Sequence, residues 1–177
     1  MLGKLFHSGE WDEVLEKLKA QKFPTDEIGP AIVKLGKPYN EKRILRAKNV
    51  VAAYLKHPDN WVRHEAMWFL GSWGKLRQFQ PALIDALQND PDSDNRDYAS
   101  LCLAHLLRGT GDLGAIKALK EVVLNEKEDK LVRLSSYGAL LEIVDKRSGV
   151  DFQANDKDLS DIDWAWVRSL PISAERR

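Results

Sequence analysis

The chain has 177 residues, of which 31% are charged and 44% hydrophobic, and its 27 lysines and arginines balance 27 aspartates and glutamates. This composition is typical of one globular domain, and no apolar run approaches the ~20 residues of a membrane span. The zero net charge counts against nucleic acid as a partner. Residues 1–6 are too short for a signal peptide, so we expect a cytoplasmic protein without a membrane partner.

Apolar residues recur with the 3.6-residue period of a helix, and no stretch alternates as a strand would. The pattern predicts eight helices, at residues 9–21, 26–35, 41–56, 60–73, 77–89, 94–108, 112–125 and 129–146. Polar residues with short side chains are the predicted N-caps, namely Ser8, Thr25, Asn40, Asp59, Asp94, Asp112 and Asp129. Glycines stand where helices should end, at Gly36, Gly74, Gly109 and Gly149.

One set of four residues recurs three times: an aspartate, an arginine four residues later, a small residue three beyond it and a leucine four beyond that. The sets are Asp59/Arg63/Ala66/Leu70, Asp92/Arg96/Ala99/Leu103 and Asp129/Arg133/Ser136/Leu140. The arginines are 33 and 37 residues apart, which is room for two short helices and their turns. Such a period predicts a helical solenoid. We expect the aspartates and arginines to be structural, with each guanidinium joining aspartates at the turns.

The run from Asp59 to Gly71, with weaker copies at 92–104 and 129–141, resembles HEAT repeats of the bacterial kind also found in phycobilin lyases. The resemblance covers residues 41–146. It implies an all-α fold, a right-handed α-α superhelix of the HEAT/armadillo type with about four helix pairs. The expected single domain, 1–177, comprises a degenerate repeat at 9–36, HEAT-like repeats at 41–74, 77–109 and 112–146, and an acidic C-terminal segment at 147–177.

The C-terminal segment departs from the repeat pattern. Between residues 151 and 163 it carries five aspartates, and these accompany Phe152, Trp164 and Trp166. We expect the segment to fold back over the last repeat, with a helix at 158–169, and to cap an apolar face. The alternative is that its acidic side chains steer a basic partner by long-range attraction, in which case the residues concerned are Asp156, Asp158, Asp161 and Asp163.

Patterns that could carry chemistry lack the structural context that the chemistry needs. The G-x-G-x-x-G run at 109–114 follows a helix, whereas a dinucleotide-binding loop follows a strand. No histidine has the spacing of a zinc ligand set, and Ser135 and Ser136 lie inside a predicted helix without a nucleophile elbow. We therefore predict no catalytic residue, no metal and no cofactor.

Six tryptophans are many for this length, and Trp68 points away from the apolar arc of its helix. The HEAT resemblance implies a concave side lined by the second helix of each pair, which would bring the protein-binding candidates into one groove. The candidates are Trp61, His64, Trp68, Asp97, Leu101, His105 and Glu142. For Trp68 the alternative is packing against a neighbouring first helix.

Three functions are compatible with these features. The first is a non-catalytic protein–protein interaction module, such as a bacterial inhibitor or immunity-type protein that binds a basic toxin or enzyme. The second, implied by the HEAT resemblance, is a nucleic-acid-binding protein of the alkylpurine DNA glycosylase type, with Asp97 as its nearest carboxylate. A lyase-like chaperone for a tetrapyrrole-bearing protein is the third. The neutral charge favours the first over the second.

Overall fold

The computed structural model describes residues 8–146 and 154–171, and every regular element within them is helical. These residues form nine α-helices: α1 Ser8–Lys19, α2 Thr25–Gly36, α3 Glu41–Ala52, α4 Asn60–Met67, α5 Gln80–Asn89, α6 Ser93–Leu107, α7 Leu113–Leu124, α8 Lys130–Ile143 and α9 Trp164–Ser169. Turns of 3-10 helix lie at Ala53–Lys56, Arg77–Phe79, Ala154–Asp156 and Leu159–Asp161, and a π-helix at Trp68–Trp73. The all-α prediction is confirmed.

No helix in the described ranges is both long and apolar enough to cross a bilayer.

Several helix starts follow the predicted cap chemistry. Asn40, Asp59, Asp112 and Asp129 each accept a main-chain N–H of the first turn that follows. The prediction for α6 is wrong, because Asp92 rather than Asp94 is its cap and accepts the N–H of Asn95 at 3.1 Å. Short side-chain oxygens therefore cap most of the helix starts.

The predicted glycine stops have mixed outcomes. Gly109, with φ +67°, takes the left-handed conformation after α6. Gly74 is right-handed at φ −77°, and Lys75 takes the left-handed position one residue later. Gly36 is the last residue of α2, and the prediction at Gly149 lies outside the described residues.

The chain divides into two compact units, residues 1–74 and 75–177. The first holds α1 to α4. Its core includes Trp11 and Ile32, and two main-chain carbonyls in it are hydrogen-bonded by aromatic side chains. The indole of Trp11 donates to the carbonyl of Leu35 at 3.1 Å, and the hydroxyl of Tyr54 donates to that of Leu18 at 2.6 Å. These bonds satisfy the polar ends of otherwise buried rings.

The second unit holds α5 to α9 and has the layered packing of helix pairs. Helix α5 packs on α6 and α7 on α8, while α5 also packs on α7 and α6 on α8. Its core is rich in leucine, with Leu83, Leu87, Leu103, Leu107, Leu119 and Leu140 all inaccessible to solvent. The first helices of these two pairs thus pack on each other, and so do the second helices. A right-handed superhelix for the whole chain stays a prediction.

The three arginines of the repeat make the same kind of contact. Each donates to a main-chain carbonyl at the end of the preceding helix: Arg63 to His57 at 2.8 Å, Arg96 to Asp90 at 2.8 Å and Arg133 to Val123 at 3.0 Å. The sequence predicted aspartates as partners, whereas these acceptors are carbonyls. Carbonyls at a helix end lack intrahelical donors, so a guanidinium there ties one helix to the next.

The acceptor carbonyl also locates the insertion in the third repeat. It lies six residues before Arg63 and Arg96 but ten before Arg133. The difference of four equals the difference between the 33- and 37-residue periods. The extra residues of the longer repeat therefore lie between Val123 and Arg133, around the turn from α7 to α8, and they leave the arginine contact intact.

Candidate functional site

The seven predicted protein-binding residues fall into both compact units. Trp61, His64 and Trp68 lie in residues 1–74. The other four, Asp97, Leu101, His105 and Glu142, lie in residues 75–177.

In the first unit, three aromatic rings form a stack along one side of α4, which we call the aromatic ladder: Trp61, His64 and Trp68. The centroids of Trp61 and His64 are 5.0 Å apart with an interplanar angle of 21°, and those of His64 and Trp68 are 6.3 Å apart at 19°. Steps of three and four residues place the rings on the same helix face. The structure thus brings these three predicted residues together.

A glycine of α2 makes room for the outer end of the ladder. A methyl group at Gly29 would stand 2.5 Å from Cδ1 and 2.6 Å from Nε1 of the Trp61 indole. Nevertheless, 53% of Trp61 is exposed to solvent. One edge of the indole is therefore held against a helix backbone while the rest of the ring faces water.

The centre of the ladder carries a polar contact. Nδ1 of His64 lies 3.4 Å from Oε1 of Glu65, and their side chains are only 12% and 7% exposed. Glu65 also approaches Gly29, since its Cγ would be 3.7 Å from a methyl group there. The imidazole is consequently held between two indoles by stacking and by a neighbouring carboxylate.

Sequence reasoning missed the glycines that seat the tryptophans. Gly29 and Gly36 are seven residues apart, so they lie on one side of α2 two turns apart. A methyl group at Gly36 would clash with the ring of Trp73. The seven-residue spacing of glycines within a helix was the available signal, because interior glycine weakens a helix unless close packing requires it.

In the second unit, Asp97, Leu101 and His105 recur every four residues along α6 and so form one stripe. Burial is the main cause that raises the pKa of Asp97, and the negative charges of Asp94 and Asp129 add to it. The hydroxyl of Ser135 on α8 acts in the opposite direction as a hydrogen-bond donor. Within the described part of the chain, Oδ1 of Asp97 is buried without a hydrogen-bond partner.

Charged groups surround the end of this stripe. The pKa of His105 is lowered, chiefly by partial burial of its ring and then by the positive charges of Lys75 and Arg108, while Glu142 opposes the shift. Arg108 forms an ion pair with Glu142. His105 and Glu142 are therefore close enough to interact electrostatically. Over residues 8–146 and 154–171, no three His, Cys, Asp or Glu side chains converge as a metal site requires.

Three of the four aspartates predicted to steer a partner have hydrogen-bond partners within the chain. Asp158 accepts from Nζ of Lys130 at 2.7 Å, and this bond is the main cause that lowers its pKa. Asp161 accepts the N–H of Asp158 at 2.7 Å, and Asp163 caps α9 by accepting the N–H of Trp166 at 2.9 Å. Asp156 is exposed in a 3-10 turn.

No protein-family model and no curated protein sequence matches this chain. The resemblance to HEAT repeats therefore stays a prediction that rests on the repeated residues.

Proposed function

We propose that the chain is a non-catalytic protein-binding module with HEAT-like helix pairs, and that the aromatic ladder on α4 anchors the partner. The observation that carries the proposal is the state of Trp61, which is seated against Gly29 and yet 53% exposed. A large ring whose position is already fixed loses little conformational freedom on binding, which is why tryptophan is frequent at the energetic centres of interfaces.

The finer form of the proposal is an inhibitor or immunity-type protein that binds a toxin or enzyme. It is supported by the prediction of a single repeat domain that offers a surface rather than a catalytic constellation. The neighbourhood of Asp97 argues against the glycosylase alternative. Asp94 and Asp129 raise the pKa of Asp97 through their negative charge, and the same charge would repel the phosphates of nucleic acid.

Affinity capture from the native cell, with and without added nuclease, tests the proposal. We expect the wild type to retain one protein in near-stoichiometric amount, and Trp68→Ala, which shortens the ladder, to lose it. Tyr39→Ala is the matched control, because Tyr39 is an aromatic residue that is 64% exposed outside the ladder, and it should retain the protein. Capture of nucleic acid alone, abolished by nuclease, would select the alternative function.

A further inference from the structure

The C-terminal segment, residues 154–171, is attached to α7 and α8 by basic side chains. Nζ of Lys120 donates to the carbonyls of Arg168 and Leu170 at 2.8 and 2.7 Å. Two further lysines reach its aspartates: Lys130 lies 2.7 Å from Asp158, and Lys146 lies 3.4 Å from Asp163. Two cations lie over its indole rings. Arg133 is 5.3 Å from the ring centroid of Trp164, and Lys146 is 4.2 Å from that of Trp166.

The residues Lys120, Lys130, Arg133 and Lys146 define a basic face. The segment on this face combines negative charge with aromatic rings, so two attractions act together. Carboxylates pair with the lysines, and the indoles offer their electron-rich faces to the cations. The basic face is thus complementary to an acidic chain that carries tryptophan.

The attachment buries few residues of the segment, although Tyr137 of α8 also packs against the ring of Trp166, with centroids 5.8 Å apart, and its hydroxyl accepts the N–H of Asp163 at 3.3 Å. Of its described residues, only Ile162 and Val167 are buried. The ion pairs are open to water, with side-chain exposures of 53% and 66% for Lys130 and Asp158, and exposed pairs of this kind contribute little to stability. Detachment of the segment should therefore cost less free energy than unfolding of α7 and α8.

The repeat register shows what the segment replaces. Arg96 of α6 forms an ion pair with Glu128, 32 residues later, in the turn of the following helix pair. Arg133, the equivalent residue of α8, meets Trp164, 31 residues later. The segment thus occupies the place where a further repeat would contact α8.

We propose that the basic face is a docking site for an acidic, tryptophan-bearing segment of a partner protein, and that residues 154–171 are its detachable resident. The partner displaces the resident by making the same pairs with the lysines and Arg133. This site lies in the second unit and is independent of the aromatic ladder, so either proposal can fail without the other.

A fluorescent peptide with the sequence of residues 154–171 tests the proposal by anisotropy. The receptor is the full chain, either wild type or with Asp158→Asn and Trp166→Ala, which loosen the resident while leaving the basic face unchanged. We expect the peptide to bind the loosened chain at least ~10-fold more tightly than the wild type, because the wild-type resident competes. The affinity should fall several-fold when salt rises from about 0.05 to 0.3 M.

Two controls make the test decisive. A peptide with the same Asn and Ala changes should bind weakly, and adding Lys130→Ala and Lys146→Ala to the receptor should abolish tight binding. Equal affinity for wild-type and loosened chains would overturn the proposal, as would absence of binding to a loosened chain with unchanged helical circular dichroism. A wild-type dimer in light scattering that becomes a monomer when Asp158→Asn and Trp166→Ala are introduced would also overturn it, since the resident would then be the segment of a second copy.

Discussion

At the scale of single residues, the hydrogen atom that serves as the side chain of Gly29 determines where the Trp61 indole can lie. A methyl group in its place would be 2.5 Å from the ring, which is too close for two carbon atoms that are not bonded to each other. Trp61 can therefore rest against α2 only because residue 29 is glycine. The same argument applies at Gly36, where Trp73 takes the space. Both glycines lower the helix propensity of α2 but allow a tryptophan to pack closely against it.

We expect Gly29→Ala to destabilise the fold by about 1–3 kcal/mol, because the methyl group overpacks the contact with Trp61. Indole fluorescence should shift as the ring moves. Gly9→Ala is the matched control, since no atom lies within 4 Å of the added methyl group and alanine is the better helix former, so stability should rise slightly. Thermal melting measures both, and equal effects would contradict the seating of Trp61.

Asp97 provides a prediction of pH dependence. Its pKa in the folded chain is raised above the ordinary 3.8, so the ionised form is the less stable one when folded. The protonated carboxyl keeps its stability below the ordinary pKa and loses it as pH rises through the higher folded pKa. Asp97→Asn should therefore be more stable than the wild type at pH 7, and the difference should vanish below about pH 3.5. The pKa of Asp163 is lowered in the folded chain, so Asp163→Asn should be less stable than the wild type at pH 7. Urea titrations at each pH measure the free energy of unfolding of both variants.

At the scale of elements, the sequence predicts helices well where the information is local. The 3.6-residue period finds α1 to α8, and the aspartate caps give several of the helix starts. Prediction from local sequence fails where two neighbouring residues have the same capping ability, since Asp92 and Asp94 can both cap a helix. It also fails in the C-terminal segment, where a helix was predicted over 158–169. Asp158 caps a 3-10 turn and Asp163 starts a separate short helix at Trp164.

The three residues of the aromatic ladder were among seven candidates predicted for one groove, but their stacking was not predicted. Trp61, His64 and Trp68 could be named from their positions on one helix, but the stack also depends on Gly29 of another helix. A pattern of 3.6 residues per turn does not predict the π-helix at Trp68–Trp73. In the C-terminal segment, the lysine partners of the aspartates are Lys130 of α8 and Lys146, which follows α8, and no local pattern identifies them.

The arginine joints between helices give a prediction at this scale. Arg96 donates to both carboxylate oxygens of Glu128 at 3.0 and 2.8 Å, and only 10% of the Glu128 side chain is exposed. Arg96→Ala removes the counter-ion of this carboxylate, which then keeps, among the described residues, only the N–H of Asp129 as a donor at 2.7 Å, so we expect a loss of about 1.5–3 kcal/mol. The double variant Arg96→Ala with Glu128→Ala should lose less than the sum of the single variants. Unchanged melting combined with abolished partner binding would move Arg96 into the functional site.

At the scale of the whole molecule, the six tryptophans separate into two groups. Four have a cation of the same chain over the ring: Trp11 with Arg43 and Arg46, Trp73 with Lys37, Trp164 with Arg133 and Trp166 with Lys146. The remaining two, Trp61 and Trp68, both stack on His64. Trp61 is also the tryptophan most exposed to solvent. The aromatic ladder therefore presents an exposed indole in a fixed position, and it is the surface that we assign to the partner.

Titration calorimetry of the captured partner with Trp61→Ala tests this assignment most directly. We predict that binding weakens by about 2 kcal/mol, or roughly 30-fold, because a central aromatic anchor is lost. Tyr39→Ala should change the affinity by less than about threefold, and both variants should keep the helical circular dichroism of the wild type. Wild-type affinity in a folded Trp61→Ala variant would contradict the account, since the partner would then bind elsewhere.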